Sequence, residues 1–205
     1  MTLPATDVFT GSNGTALTTY SANWTLNSGN FAINTNAIAP NASTTECAAG
    51  WNADTFNNDQ YSQGTVSVTN GQTHAIGVAC RCSTSGGTAT YYGWYSDTGQ
   101  ANAAFLHKSV TGTWTQLGST GARWTNGLAI RLEITGTTLR PMRAGATDAI
   151  GTQTDSAIAS GRAGLSGYGV GTSVRLDDWE GGNLTVATKA VLFMSRALRV
   201  WNRRR

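Results

Sequence analysis

Short segments in which apolar and polar residues alternate recur along most of the chain, and Gly, Asn and Ser separate them. A period of two places successive side chains on opposite faces of a β-strand. The clearest case is the segment 128–143, in which a turn at 135–137 follows the apolar residues Leu128, Ile130, Leu132 and Ile134. About a dozen such segments, with no helical pattern before residue 186, predict an all-β chain of two packed antiparallel sheets.

The composition allows one domain with a sizeable core. Seven Trp, six Tyr and five Phe supply the large apolar side chains that disordered chains lack. A sandwich of this size commonly folds as a single domain, which we expect to cover residues 1–184. The residues before Lys189 include eight basic and eleven acidic side chains. This weakly acidic body predicts that the sandwich does not bind nucleic acid.

The last twenty residues follow a different pattern. From Val186 onward there is no Gly or Pro, and Val191, Met194, Leu198 and Trp201 form one apolar stripe at helical spacing. We therefore predict a short basic amphipathic helix over residues 185–205. Because a lone helix of this length is marginal in water, we expect it to dock on its own sandwich, on a sister subunit or partner protein, or on a membrane surface or nucleic acid. The predicted anchoring residues are Val191, Leu192, Met194, Arg196, Leu198, Arg199 and Trp201.

The N-terminal sequence MTLPATDVFTGSNG has neither a charged segment nor an apolar one, which predicts no secretory signal peptide. No stretch approaches the roughly 20 apolar residues of a membrane span, so membrane association of the sandwich is not expected.

The chain has three cysteines, Cys47, Cys80 and Cys82. Alternation with Ile76 and Val78 predicts that Cys80 and Cys82 lie on one face of a strand. We interpret all three as buried thiols that act as small hydrophobic side chains. A disulfide that includes Cys47, or a metal site, is the alternative.

Several segments resemble LamG-like domains of the concanavalin A-like lectin/glucanase superfamily. They are the opening DVFTGSNGTALTTYSANW, the central HAIGVACRC and YYGWYSD, and the C-terminal GTTL, TDSAIASGRAGLSGYG and LDDWEGG. The likeness covers about residues 5–184 and implies a concanavalin A-like jelly roll. Proteins with this fold include lectins, glycosidases, adhesion modules and virion proteins, and the sequence looks most like bacteriophage virion proteins.

The carboxylates do not form a recognisable catalytic pattern. Retaining glucanases of this superfamily need two acids about 5–5.5 Å apart, and their Glu-x-Asp-x-Glu signature is absent here. Only Asp178 and Glu180 are spaced i, i+2 in a strand-like segment, and Glu133 stands alone, in a solvated or cross-strand-paired position. We therefore predict that the chain is not an enzyme. A glycoside hydrolase that uses Glu133, Asp178 and Glu180 is the weaker alternative.

The resemblance also implies a candidate calcium site. In LamG-like sandwiches an Asp near the first strand and an Asp near the last often share an ion, and these positions match Asp7 and Asp178, with Asp177 as a further ligand. Calcium takes six to eight oxygen ligands, which carboxylates and turn carbonyls can supply. The alternative is that Asp7 and Asp178 cap turns or pair with Arg175.

Carbohydrate binding needs exposed aromatic rings beside amides and hydroxyls. The segment YYGWYSD is the best candidate, because alternation puts Tyr92 and Trp94 on one face and Tyr91 and Tyr95 on the other, so that one pair should face away from the core. The predicted sugar-binding residues are Tyr92, Trp94, Tyr95 and Asp97, with Trp51 and Asn52 as a second patch. The alternative is that these aromatic side chains pack in the core or at an interface.

Together these observations predict a non-enzymatic structural protein of a phage virion. It would be a capsid decoration protein or a head- or tail-associated adhesion module, located in the virion. We expect the C-terminal helix to anchor it to capsid or tail proteins or to sister subunits, and the sandwich to bind host-surface glycans weakly. The alternative is a lectin module of a bacterial protein.

Overall fold

The structure is a computed structural model that describes residues 3–68, 74–85, 88–97 and 103–185, with the backbone alone at 42–45, 68, 85 and 97. The predicted C-terminal helix and its seven anchoring residues lie outside this part, so they stay predictions. No helix of the described residues has the length and apolar character needed to cross a membrane.

The described residues form sixteen strands and one helical turn. The strands are β1 Ala5–Asp7, β2 Trp24–Ser28, β3 Phe31–Ile33, β4 Ile38–Trp51, β5 Gln60–Val68, β6 Ala75–Ser85, β7 Thr88–Asp97, β8 Ala103–Val110, β9 Thr113–Gln116, β10 Gly121–Ala122, β11 Ala129–Thr135, β12 Thr138–Arg143, β13 Ala146–Thr147, β14 Gln153–Thr154, β15 Arg162–Val170 and β16 Val174–Asn183. The turn, α1 Leu17–Tyr20, corrects the prediction of no helix before residue 186, because four residues are too few to show a helical period.

The strands pair antiparallel in two sheets. Sheet A has the order β16–β5–β11–β12, with β1, β3 and β4 beyond β16 and β13 and β14 beyond β12. Sheet B has the order β2–β4–β15–β6–β7–β8, followed by β9 and β10. The long strand β4 joins the two sheets, since Ile38 pairs with Leu176 of sheet A and Ala49 pairs with Leu165 of sheet B. This is the predicted two-sheet antiparallel sandwich.

The core lies between the sheets and is built from the alternation seen in the sequence. Ile130, Leu132 and Ile134 of β11 point inward and are buried, as their period of two predicted. They pack in one cluster with residues of sheet B such as Val78 and Leu165. At one end of the core three tryptophans, Trp24, Trp51 and Trp179, lie with ring centroids 4.6–5.4 Å apart.

Sheet B curls, so that its outer face is concave. The strands β2 and β7 contact each other although β4, β15 and β6 separate them in the sheet, and Asn27 of β2 donates a hydrogen bond to Thr84 Oγ1 of β6 at 2.9 Å. The closed end of the concave face encloses a small second core of Ala48, Ala79, Cys82, Ala89 and Tyr91.

The three cysteines are buried and form no disulfide within the described part of the chain, which confirms their interpretation as small hydrophobic side chains. The prediction that Cys80 and Cys82 share a face is wrong. The pairing of β6 with β7 shifts between Cys80 and Ser83, where Arg81 has a φ of 54°. This bulge turns the side chain of Cys82 into the second core, while Cys80 lies in the main core.

Arg81 is itself buried and forms hydrogen bonds with three separate loops. It is 3% exposed, and its guanidinium donates to the carbonyl oxygens of Asn58, Gly136 and Ile158 at 2.7–3.1 Å. Its backbone N–H donates to Gln60 Oε1 at 3.0 Å. The left-handed conformation at Arg81 is therefore held by contacts with residues distant in sequence.

Candidate functional site

Strand β7 carries the aromatic residues that the sequence predicted for sugar binding, and it divides them between two buried surfaces. Tyr92 and Trp94 point into the main core and are 0% exposed. Tyr92 donates to Asp155 Oδ1 at 2.7 Å, and the Trp94 ring packs against Trp124 with centroids 5.4 Å apart. Their predicted role as an exposed stacking surface is wrong, because the opposite sheet covers this face.

The other side of β7 faces the concave surface of sheet B. Tyr95 lies there but is only 6% exposed, because the curl of the sheet covers this side too. The side chain of Asp97 is outside the described part of the chain, so its predicted role is untested. The predicted aromatic pair, Tyr91 and Tyr95, does face away from the main core, but neither side chain is exposed to solvent.

In the second predicted sugar patch Trp51 is also buried, whereas Asn52 is half-buried. Trp51 is 2% exposed and belongs to the tryptophan cluster at the end of the core. Its Nε1 donates to Asp54 Oδ2 at 2.9 Å, and Asn52 Nδ2 donates to Thr25 Oγ1 at 2.6 Å. These contacts leave the Trp51 ring no open face, so Trp51 cannot stack on a sugar in this structure.

A group of rings that we call the aromatic patch lies on the concave face, formed by Tyr91, Tyr95, Phe105, His107 and Trp114. The register pairs Tyr95 with Phe105 and Ser109 with Trp114, which puts these rings on one side of β7, β8 and β9. The His107 ring lies at its centre, with centroids 4.4 Å from Tyr95, 5.5 Å from Tyr91 and 5.6 Å from Trp114. Trp114 is 37% exposed, the largest exposure of an aromatic ring among the described residues.

Gly93 makes room for the central ring. A Cβ atom at this position would lie 2.4 Å from His107 Cε1, so a side chain there would displace the imidazole. The ring is completely buried, and neither nitrogen has a hydrogen-bond partner in the described part of the chain. Burial lowers the pKa of His107 to about 3, and the imidazole is therefore neutral at physiological pH.

A carboxyl group lies beside the aromatic patch. Glu46 of β4 accepts hydrogen bonds from the hydroxyls of Tyr91 at 2.8 Å and Tyr95 at 3.4 Å. Burial raises the pKa of Glu46 to about 7, although both hydrogen bonds act to lower it. The concave face thus combines a partly exposed indole ring with a carboxyl group that titrates near neutrality.

Four residues of this site were not predicted from the sequence, namely Glu46, Phe105, His107 and Trp114. The signal was present in part, because the segment 105–116 alternates as a hairpin with Phe105, His107, Trp114 and Gln116 on one face. Alternation alone does not show that this face borders Tyr95 of β7, which depends on the pairing of β7 with β8.

The outer face of sheet A has a different character. A depression of about 340 Å³ that we call the sheet-A groove lies among Gln63, Arg131, Met142, Asp178 and Glu180. Glu180, Gln63, Arg131 and Met142 pair in register across four neighbouring strands. Small residues deepen the groove, since Gly64, Ala129 and Gly145 also line it.

Neighbouring side chains hold Arg131 in place. Its guanidinium carbon lies 3.5 Å from the centroid of the Tyr61 ring, its Nε donates to Glu133 Oε1 at 2.7 Å, and its Nη1 donates to Gln63 Oε1 at 2.8 Å. The Tyr61 hydroxyl in turn donates to Glu180.

The carboxylates of the weaker enzymatic alternative lie on this sheet. Glu133 is paired with Arg131 and with its cross-strand neighbour Arg140, which confirms the cross-strand-paired position that alternation indicated. Asp178 and Glu180 both line the sheet-A groove, but they are separated by a bulge in which Asp178 has a φ of 48°. The regular i, i+2 geometry assumed from their spacing is therefore absent.

The aspartates of the predicted calcium site make other hydrogen bonds in the structure, and calcium binding stays a prediction. Strand β1 pairs with β16, as the resemblance implied. However, Asp7 already accepts from Phe9 N and the Tyr20 hydroxyl on one oxygen and from Trp24 Nε1 on the other, at 2.7–2.9 Å. Asp177 Oδ1 accepts from the backbone of Asp178, and no group of three His, Cys, Asp or Glu suited to a metal occurs in the described residues.

The alternative reading of these aspartates is right in part. Asp7 accepts the backbone N–H of Phe9, two residues on, as in a turn. Arg175 donates to Asn34 Oδ1 at 2.9 Å and Ser67 Oγ at 3.3 Å, so its hydrogen bonds go to neutral groups. Burial raises the pKa of Asp177, and the charges of Asp178 and Asp7 add to this effect.

No protein-family model matches this chain, and no curated protein matches it in sequence. Solved structures do share its fold. A carbohydrate-binding module CBM66 from Bacillus subtilis superposes with a TM-score of 0.62 at 12% identity, over 78% of this chain and 96% of that one. A legume lectin-like domain from Entamoeba histolytica gives a TM-score of 0.53 at 12% identity, over 80% and 91%.

The same fold also occurs in an enzyme. The apo structure of a Crh5 transglycosylase superposes with a TM-score of 0.56 at 10% identity, over 88% of this chain and 84% of that one. At these identities the likeness shows the fold alone, which is the two-sheet jelly roll that the sequence resemblance implied.

Proposed function

We propose that this chain is a non-catalytic carbohydrate-binding module whose binding site is the aromatic patch on the concave face of sheet B. The observation that carries the proposal is Trp114, a partly exposed ring fixed on a platform of other rings. The lectins and carbohydrate-binding modules that share the fold support this class of function.

Trp114 has the properties of a stacking residue for a sugar ring. Its indole is stacked on His107 at an interplanar angle of 24° and touches Phe105 edge-on at 6.5 Å. A ring already held in place loses little conformational entropy when a ligand binds. The apolar C–H face of a sugar can pack on the exposed indole, while the half-buried Gln116 and Glu46 offer polar groups for hydroxyls.

The neutral state of His107 suits an uncharged ligand. With its pKa lowered to about 3, the imidazole supplies a flat, uncharged surface beneath Trp114. On sheet A, Glu133 is bound between two arginines, and a bulge separates Asp178 from Glu180. Neither arrangement resembles the paired carboxylates that retaining glycosidases use, which supports a non-catalytic role.

The test is a glycan array probed with the full chain and with Trp114→Ala. We expect the wild type to bind a subset of neutral glycans and Trp114→Ala to lose roughly tenfold in affinity, which corresponds to about 1.4 kcal/mol. The matched control is Val8→Ala, a truncation of an apolar side chain that is 55% exposed outside the patch. Equal binding by Trp114→Ala and Val8→Ala would refute the assignment, as would a wild type that binds no glycan.

The virion role implied by the sequence resemblance stays a prediction, with its anchoring helix and its capsid, tail or sister-subunit partners. Deletion of residues 186–205 tests it directly. If the shortened chain still assembles with its partner, the predicted anchor is wrong. The glycan-binding proposal does not depend on that outcome, because all residues of the aromatic patch precede residue 186.

A further inference from the structure

The sheet-A groove is a second surface that the proposed function does not use. It lies on the outer face of sheet A, whereas the aromatic patch lies on the outer face of sheet B, so that the two surfaces face opposite sides of the sandwich. We propose that the sheet-A groove binds a neutral glycan chain independently of the aromatic patch, which makes the module bivalent.

The groove has the length of a short oligosaccharide. Glu180, Gln63, Arg131 and Met142 follow one another in register across β16, β5, β11 and β12. Neighbouring strands are about 4.8 Å apart, so this row extends over roughly 14 Å, the span of about three sugar rings. An extended chain would therefore lie across the strands rather than along them.

Hydrogen-bonding groups alternate along this row. Gln63 Oε1 accepts a hydrogen bond from Arg131 Nη1, which leaves the amide nitrogen of Gln63 as a donor. Glu180 Oε1 accepts from the Tyr61 hydroxyl, so the other carboxylate oxygen of Glu180 remains as an acceptor. Arg131 donates from Nε to Glu133 and from Nη1 to Gln63, so its Nη2 lies outside both of these bonds. These planar groups present paired donors and acceptors, and neighbouring hydroxyls of a sugar can bind to them in pairs.

The charges of the groove favour a neutral ligand over an acidic one. The positive charge of Arg131 is compensated by Glu133, which also pairs with Arg140. At the other end Glu180 and the exposed Asp178 add negative charge. An anionic glycan would meet these carboxylates and would have to compete with Glu133 for the guanidinium groups.

No aromatic ring occurs among the described residues that line the groove, and Arg131 covers one face of the neighbouring Tyr61 ring. Binding there relies on hydrogen bonds exchanged with water, so we expect it to be weaker than binding at Trp114. Because the two surfaces face opposite sides of one rigid body, two weak sites can hold two chains of a polymeric glycan at once and cross-link them.

The experiment uses the full chain and three neutral polysaccharides, namely dextran, a β-1,3-glucan and a mannan, with hyaluronate as the acidic comparison. Binding to the immobilised polymers is measured for Trp114→Ala, for the pair Gln63→Ala/Glu180→Gln, and for all three substitutions combined. Gln at position 180 still accepts from Tyr61, and thermal unfolding of each variant checks that the fold is retained. Arg162→Ala, a change of an exposed arginine outside both surfaces, is the control.

We expect Trp114→Ala to retain binding to at least one neutral polymer, and the combined variant to bind that polymer at least tenfold more weakly. The wild type should precipitate the polymer, and neither single-surface variant should do so. The proposal is overturned if Trp114→Ala still binds and the groove substitutions do not weaken this residual binding. It is also overturned if Trp114→Ala does not bind any of the neutral polymers. Stronger binding to hyaluronate would overturn the ligand class. The proposed role of the aromatic patch is tested separately: it is wrong if Trp114→Ala binds the polymers as tightly as the wild type.

Discussion

Glu46 provides the sharpest test of the concave face, through the change Glu46→Gln. Burial beside Tyr91 and Tyr95 raises the pKa of this carboxyl from 4.5 to about 7. The native state therefore binds a proton that the unfolded chain has already released between these two pH values. Stability is consequently greatest below about pH 4.5 and is lost as the pH rises toward 7, because the native fold resists ionisation of Glu46. Glutamine has nearly the same shape and never ionises; its Oε1 can accept from one tyrosine hydroxyl, and its Nε2 can donate to the hydroxyl oxygen of the other.

The expected size of the effect follows from the shift. Each pKa unit corresponds to 1.36 kcal/mol, so a change from 4.5 to about 7 implies a penalty of roughly 3 kcal/mol for the ionised carboxylate. Because Glu46 is only half-buried, solvent screens part of this penalty, and we expect about 1–2 kcal/mol. For a chain of this size that gain raises Tm by roughly 3–6 °C.

The assay is thermal unfolding of the wild type and Glu46→Gln at pH 5 and pH 8. The variant should unfold several degrees higher at pH 8 and within about one degree of the wild type at pH 5. If Glu46→Gln is less stable than the wild type at pH 8, the ionised carboxylate stabilises the fold and the reasoning from burial is wrong. An equal gain at both pH values would show that the substitution acts through packing rather than through ionisation.

Three further substitutions or reagents test the packing around the two faces. Arg81→Met leaves three buried carbonyl oxygens without their donor and should cost roughly 3 kcal/mol in urea unfolding, whereas an unchanged midpoint would mean that water replaces the guanidinium. Gly93→Ala should displace the His107 ring and cost roughly 1–3 kcal/mol, with Trp114 fluorescence altered as well; an unaltered spectrum would contradict the close contact. A thiol reagent should label no cysteine in the native protein and three after unfolding, and rapid native labelling would contradict their burial.

The sandwich could be predicted from the sequence because alternation and turn residues act locally. In the hairpin of β11 and β12 the apolar residues of β11 point into the core, and the register pairs Glu133 with Arg140 across the predicted turn. The same method failed at Cys82, because the bulge before it depends on Arg81. The bonds that hold Arg81 go to Asn58, Gly136 and Ile158, and no local pattern encodes them.

The candidate site could be predicted only in part, for a related reason. Alternation correctly separated Tyr95 from Trp94 and placed β7 at the centre of the site. It could not show whether a face is open, because that depends on the curl of the whole sheet. Trp114 was not predicted as a site residue, because its position depends on the pairing of β9 with β8 and on the ring of His107 beneath it.

Glycines at two positions explain why the curl of sheet B is possible at all. A Cβ on Gly77 would lie 2.0 Å from the carbonyl oxygen of Trp94, and one on Gly164 would lie 1.9 Å from that of Ala49. Neighbouring backbones approach so closely here that no side chain fits, which allows the sheet to bend sharply toward its outer face. On this face Tyr91 is fully buried, whereas Trp114 is 37% exposed. A larger residue at Gly164, whose nearest neighbours are backbone atoms of Ala49 and Gly50, should therefore disturb the aromatic patch without touching any of its residues, because the curvature of the sheet holds the rings together.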